Sequence, residues 1–135
     1  MGYEAEKIAI EERFDSTFGQ AGGGDPAILK CYDNIDFEPT DDTAWARLSI
    51  RPADGNQVGM GSTNVHRYSG VIFIQIFVPK SGGLGVAMQL ADEAADIWRG
   101  AQFSGITCRT PRVVNVGPDR DWYQVNVLTN FFRDE

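Results

Sequence analysis

The segment from residue 66 to residue 79 constrains the fold of this chain more than any other. It reads HRYSGVIFIQIFVP and is apolar at consecutive positions, so both faces of an extended strand built from it are apolar. Such a strand is typical of the centre of a sheet that is covered on both sides. We therefore expect either a central strand buried within one subunit or a sheet whose second face is buried against another copy of the chain.

Length and composition predict a single soluble domain over residues 1–135. Hydrophobic residues make up 42% of the chain and charged residues 23%, which is typical of a folded globular protein. The longest uninterrupted apolar run, Val71 to Ile74, is far shorter than the roughly 20 residues that span a bilayer. The N-terminal segment is acidic and polar. We expect a protein made in the cytosol with no membrane segment.

All of the net negative charge arises from the first part of the chain. Residues 1–60 contain 12 Asp and Glu against 5 Lys and Arg, whereas residues 61–135 contain 7 of each kind. The chain has a pI of about 4.6 and no run of basic residues. This pattern disfavours nucleic-acid binding through phosphate contacts. It is compatible with an acidic surface that DNA passes without binding.

Apolar residues at helical spacing predict two main helices. The first covers residues 3–18, with Gly19 as its stop, and its apolar stripe consists of Tyr3, Ile10, Phe14 and Phe18. The second covers residues 83–99 and ends at Gly100. Between the first helix and the remainder of the chain, residues 19–26 read GQAGGGDP and are predicted to be a flexible linker.

Alternating and apolar runs predict a sheet. The predicted strands are 28–32, 35–37, 43–51, 65–78 and a hairpin of 106–116 and 122–131 around a turn at 117–121. Residues 52–64, which contain turn residues and several glycines, are predicted to form a long loop. Because most connections are short, the fold class predicted is α+β, a mostly antiparallel twisted sheet with two main helices packed on it.

The sequence contains no pattern typical of an enzyme or a metal site. His66 is the only histidine, and Cys31 and Cys108 lie far apart without CxxC spacing. No GxSxG, HExxH or phosphate-loop pattern is present. We expect no catalytic residue, no metal and no cofactor. Two buried free thiols are favoured, and the sequence leaves a disulfide open.

Two short motifs and the order of the elements around them carry a family resemblance. The motifs are N-x-x-F-x-P, formed by Asn34, Phe37 and Pro39, and R-x-x-G, formed by Arg67 and Gly70. The second motif leads into the long strand and then a helix, and WYQVNVLTNFF closes the chain. Over roughly residues 29–132 this pattern resembles the tail terminator, or tail completion, family of long-tailed bacteriophages and prophages. Thr40 stands where family members tend to have a second proline.

The resemblance implies a structural virion protein rather than an enzyme. Members have an α+β fold, form homohexameric rings, cap the finished tail tube and provide the face that joins the head. The partners implied are further copies of the chain, the tail-tube protein and the head-completion or connector protein. DNA passes through such a ring without specific binding, and no membrane is involved. The location implied is the virion tail, after assembly in the host cytoplasm.

Within this interpretation, the predicted loop at 52–64 is a candidate assembly segment that reaches a neighbouring copy or the tail tube. Its candidate contact residues are Asn56, Gln57, Met60 and Ser62. Two other function classes stay open at this point. One is a head-tail connector or a tail-tube subunit, and the other is a small-ligand-binding domain.

Overall fold

The computed structural model describes residues 2–17, 29–32, 44–57, 66–79, 83–119 and 122–134. The helices are α1 (Tyr3–Thr17) and α2 (Gly83–Trp98). The strands are β1 (Leu29–Tyr32), β2 (Trp45–Gln57), β3 (His66–Pro79), β4 (Gln102–Phe103), β5 (Ile106–Cys108), β6 (Arg112–Asp119) and β7 (Trp122–Asp134). The fold is α+β, as the sequence predicts. Neither described helix is long and apolar enough to cross a membrane.

The described strands form one sheet with β3 and β7 at its centre. Its order is β1-β2-β3-β7-β5-β4, and β6 also pairs with β7. The pair of β1 and β2 is parallel, and the other described pairs are antiparallel. The ladder between β3 and β7 runs from Arg67 opposite Asp134 to Pro79 opposite Trp122. The central position predicted for residues 66–79 is therefore confirmed.

The two faces of the sheet differ in burial. Along β3, Ile72, Ile74 and Ile76 are fully buried, while the residues between them are only partly buried. The three isoleucines belong to the same core as Ile10 and Phe14 of α1 and the apolar stripe of α2. We call this side the core face. The other side, the open face, consists of Trp45, Arg47, Ser49, Arg51, Arg67, Ser69, Val71, Phe73, Gln75, Phe77, Arg112, Val114, Trp122, Gln124, Asn126, Leu128, Asn130, Phe132 and Asp134, together with Arg109 beside Phe132.

The helix α2 has the pattern that the sequence predicts. Its buried residues recur at helical spacing and are Ala87, Leu90, Ala91, Ala94, Ala95, Ile97 and Trp98. The alanines allow the helix axis to lie close to the sheet, where α2 packs against β3 and β7. Gly100 follows with a φ of 66°, a left-handed conformation that ends a helix at low cost for glycine.

The helix α1 is attached differently from the prediction. Ile10 and Phe14 are fully buried as expected, but Tyr3 is 52% exposed, and Phe18 lies outside the described residues. One turn before Ile10, Glu6 is buried and accepts a hydrogen bond from Arg133 Nε of β7 at 2.8 Å. Both side chains are 3% exposed. A buried ion pair therefore fastens α1 to the end of the central ladder.

The prediction of a loop at 52–64 is wrong for residues 52–57. Residues 52–57 continue β2 and pair with β3, with Pro52 opposite Gly70 and Gln57 opposite His66. The register shifts between Pro52 and Gly55, so the Pro and Gly that indicate a turn form a bulge within a continuing strand instead. Residues 58–65, the linker predicted at 19–26 and the strand predicted at 35–37 lie outside the described residues.

The strand predicted at 106–116 is divided in two. The strands β5 and β6 both pair with β7 but are separated by residues 109–111, which include Pro111. Proline has no N–H for the ladder, which accounts for the break. The turn predicted at 117–121 is shorter, because β6 reaches Asp119, opposite Trp122. Gly117, with a φ of 103°, lies at a second bulge.

Replacing Gly70 by alanine is expected to lower the free energy of unfolding by about 1–3 kcal/mol. A Cβ at Gly70 meets the Arg51 carbonyl oxygen and the Phe131 ring, each at 2.8 Å. The backbone oxygen cannot move without disturbing the pairing of β2 and β3. The measurement is urea denaturation followed by circular dichroism. Gly85→Ala is the matched control, since a Cβ there meets nothing within 4 Å and alanine favours the helix. Equal stability losses for the two variants contradict this account.

Glu6→Ala is expected to cost about 3 kcal/mol of unfolding free energy, because the Arg133 guanidinium then stays buried without its carboxylate. Glu4→Ala removes the same charge from an exposed position of the same helix and is expected to change stability by less than about 0.5 kcal/mol. The double variant Glu6→Leu/Arg133→Met is expected to be more stable than Glu6→Leu alone. Independent, additive effects in this cycle contradict a coupled pair.

Candidate assembly surface

The open face is a sheet surface of mixed polar and apolar residues that neither described helix covers. The helices pack on the core face, where Ile10 and Phe14 share one cluster with Ile72 and where α2 lies against β3 and β7. At the centre of the open face, the side chains of Val71, Phe73 and Leu128 are half-buried. Apolar side chains that stay partly accessible on a sheet face are candidates for contact with another molecule.

An aromatic group forms one end of the open face. The rings of Trp45 and Phe77 stack at a centroid distance of 4.1 Å, and Trp122 meets Trp45 edge-on at 6.2 Å. The Arg47 guanidinium lies 5.8 Å from the Trp45 ring. Trp45 and Arg47 share a face because they stand two positions apart in β2, but Trp45 is only 8% exposed because its neighbours cover it. Stacking of this kind fixes the rings in a rigid surface.

An arginine and phenylalanine cluster forms the other end. Arg67 binds Asp134 with two hydrogen bonds, Nε to Oδ1 at 2.8 Å and Nη2 to Oδ2 at 3.1 Å. The guanidinium groups of Arg67 and Arg109 lie 4.3 Å and 5.2 Å from the Phe132 ring centroid. The hydrogen bond from Arg67 lowers the pKa of the Asp134 carboxyl below its usual value. A shallow cleft of about 360 Å³ adjoins this cluster, with Ser69, Val71 and Asn130 among its lining residues.

The R-x-x-G motif has a physical explanation in this cluster. Arg67 clamps the C-terminal end of β7 through Asp134, and Gly70 leaves room for the Phe131 ring across the ladder. The arginine therefore fixes the end of the central pair, and the glycine allows the two strands to approach. Sequence analysis identified both residues but not these roles, because their partners lie more than 60 positions away along the chain.

The remaining predicted site residues are only partly placed. Asn34, Phe37 and Pro39 of the first motif, and Met60 and Ser62 of the candidate loop, lie outside the described residues. Asn56 and Gln57 belong to β2, opposite Arg67 and His66. The structure thus brings Asn56 beside the R-x-x-G motif but shows it as a strand residue and not a loop residue.

Charge is segregated between the two sides of the sheet, a feature that sequence reasoning missed. Among described side chains, the open face has one acid, Asp134, and five basic residues: Arg47, Arg51, Arg67, Arg109 and Arg112. Described side chains of α1 and α2 have two basic residues, Lys7 and Arg13, and seven acids: Glu4, Glu6, Glu11, Glu12, Asp92, Glu93 and Asp96. Within one predicted strand, arginines at alternate positions are expected to share a face. Only the pairing register between strands shows that the arginines of different strands lie on the same face.

The chemistry available in the described residues is limited. No group of three or more His, Cys, Asp or Glu side chains in the described ranges is arranged to hold a metal ion. Cys108 is a free thiol inside the core, and burial raises its pKa to about 11. It is therefore protonated at neutral pH, whereas the thiolate is the nucleophilic form. The side chain of Cys31 is not among the described side chains of the structure.

Comparison with known proteins identifies the family. A family model described as phage tail terminator protein matches residues 7–131 of the 135 residues. The chain belongs to the phage tail terminator family. Membership gives it a structural role as a component of the phage virion tail, and the family is not a known enzyme family. The resemblance drawn from the two motifs is therefore confirmed.

Structural comparison agrees with this assignment at the level of the fold. One solved structure superposes with a TM-score of 0.72 and 18% sequence identity, covering 98% of this chain and 96% of the other. At that identity the similarity shows the fold alone. The search of curated proteins found no match.

Replacing Arg67 by alanine is expected to raise the pKa of Asp134 from its lowered value toward the ordinary 3.8. The measurement is a carboxyl ¹³C NMR titration. Since the pKa of Asp134 is lowered in the folded state, its contribution to stability is present above the ordinary pKa and is lost as the pH falls through the lowered one. Arg109→Ala is the control, because Arg109 contacts the same Phe132 ring. An ordinary pKa in the unmodified protein, or equal shifts in both variants, contradicts the assignment.

Proposed function

We propose that this protein caps the phage tail tube as a homo-oligomeric ring, ends tail elongation and provides the face that joins the head. The family match over residues 7–131 carries this proposal. The open face, which neither described helix covers, supports it, because a ring subunit needs a surface that is completed by another copy. Its apolar centre, formed by Val71, Phe73 and Leu128, is only partly buried within the subunit.

The proposed ring contains six copies and has two further partners, the tail-tube protein on one side and the head-completion or connector protein on the other. DNA passes through the ring without specific binding, a role supported by the net charge of −7 and the absence of a basic run in the sequence. Assembly takes place in the host cytoplasm before the virion is complete.

The experiment is complementation of a phage or prophage that lacks this gene, with electron microscopy of the particles. Without the gene we expect tail tubes of uneven length and few tails joined to heads. Supplying the gene restores tails of uniform length that are joined to heads. Complete absence of tubes without the gene contradicts the proposal and indicates a tube subunit. Unjoined tails of normal length indicate a connector.

The candidate assembly residues of the segment after β2 are tested in the same assay. We expect Met60→Ala/Ser62→Ala to leave the circular dichroism spectrum unchanged and to reduce the yield of joined tails. Gly85→Ala, an exposed helix substitution, serves as the control with normal yield. Normal tail completion by the double variant contradicts a role for this segment in assembly.

A further inference from the structure

We infer that the open face of one copy binds the acidic outer surface of α1 and α2 in the next copy. We call that outer surface the helix layer; it includes the exposed side chains of Glu4, Glu12, Asp92 and Asp96. The inference deepens the proposed function and rests on it, since it names the surfaces through which a ring subunit contacts its neighbour.

Charge complementarity is the first argument for this contact. The described open face has five arginines and one acid, and that acid already binds Arg67. The helix layer has the exposed acids Glu4, Glu12, Asp92 and Asp96, of which Asp96 binds Arg99, while the buried Glu6 lies outside this surface and binds Arg133. The exposed arginines Arg51 and Arg112 and the exposed acids of the helices therefore present opposite charges on opposite sides of one subunit. Opposed potentials favour docking of one side on the other.

The residue types of the open face are the second argument. Aromatic residues and arginine are enriched in protein interfaces, while lysine is depleted. The described side chains of the open face include Trp45, Phe73 and Phe77 together with arginines, and they include no lysine. Arginine also stacks on aromatic rings, as Arg67 and Arg109 do on Phe132. The apolar centre favours a protein partner over a nucleic acid, whose phosphates have no means of burying it.

The sign of the charge selects the partner surface. Two open faces brought together oppose arginine to arginine, and like charges in contact disfavour association. A helix layer opposite the open face has the complementary sign. The contact then joins two different patches, which is the heterologous type that closes into a ring or continues as a filament. Because the two patches lie on opposite sides of the sheet, each copy binds one neighbour through each.

The test is a charge exchange read out by analytical ultracentrifugation. We expect the unmodified protein to self-associate as concentration rises. Arg51→Glu/Arg112→Glu on the open face and Glu12→Lys/Asp92→Lys on the helix layer are each expected to weaken self-association by at least about tenfold. Combining all four substitutions is expected to restore it. Every variant is checked for an unchanged fold by circular dichroism, and the four substituted side chains Arg51, Arg112, Glu12 and Asp92 are exposed.

Arg51→Lys/Arg112→Lys is the matched control, since it alters the same exposed positions and keeps their positive charge. It is expected to leave self-association nearly unchanged. Three results overturn the inference: a monomer at every concentration, weakening by Arg51→Lys/Arg112→Lys equal to that of Arg51→Glu/Arg112→Glu, or no restoration in the fourfold variant. A short DNA duplex is tested as an alternative partner. If it binds the unmodified protein but not Arg51→Glu/Arg112→Glu, and self-association is the same in both, the face is assigned to DNA instead.

Complementation with the same variants separates this inference from the proposed function. If the unmodified gene completes tails and the open-face variant completes them equally well, the inference is contradicted and the proposed function is left intact. If the unmodified gene fails to complete tails but the charge exchange restores self-association in solution, the proposed function is contradicted and the contact between copies is left intact.

Discussion

The antiparallel ladder between β3 and β7 is the constraint on which the rest of the structure depends. It runs from Arg67 opposite Asp134 to Pro79 opposite Trp122. Side chains alternate between the faces of a strand, so this one register decides which residues face the helices. A shift by one residue moves Ile72, Ile74 and Ile76 from the core face to the open face. The two hydrogen bonds between Arg67 and Asp134 oppose such a shift at one end of the ladder.

The helices complete only the core face, and each is attached by a different interaction. Small residues bring α2 close to the central strands, so its attachment is mainly apolar packing. The helix α1 buries Ile10 and Phe14 but also takes Glu6 into the core, where Arg133 neutralises it. A buried ion pair adds little net stability but is costly to break, because either partner left alone remains a buried charge. It therefore specifies where the first helix lies on the sheet.

Sequence reasoning succeeds where the signal is local and periodic, and fails where it is not. The strand at residues 66–79 and the helix that follows have clear periodicity, and both are confirmed with bounds within about two residues. The bulges at Pro52–Gly55 and Asn115–Gly117 are missed, because turn residues inside a continuing ladder have the composition of a loop. Glu6 and Arg133 are separated by 127 positions, so no local pattern pairs them. For the candidate surface, resemblance identifies Arg67 and Gly70, but only the register shows why these residues occur together.

The segregation of charge gives the open face a preference for one kind of partner surface, which apolar area alone does not provide. An uncharged apolar sheet face binds a second copy of itself as readily as any other apolar surface, and symmetric pairing of this kind stops at a dimer. Arginines around an apolar centre oppose that pairing while keeping the area available to an acidic surface. Under the proposed contact, the same arginines therefore act twice, since they disfavour the closed dimer and favour the head-to-tail arrangement that a ring requires.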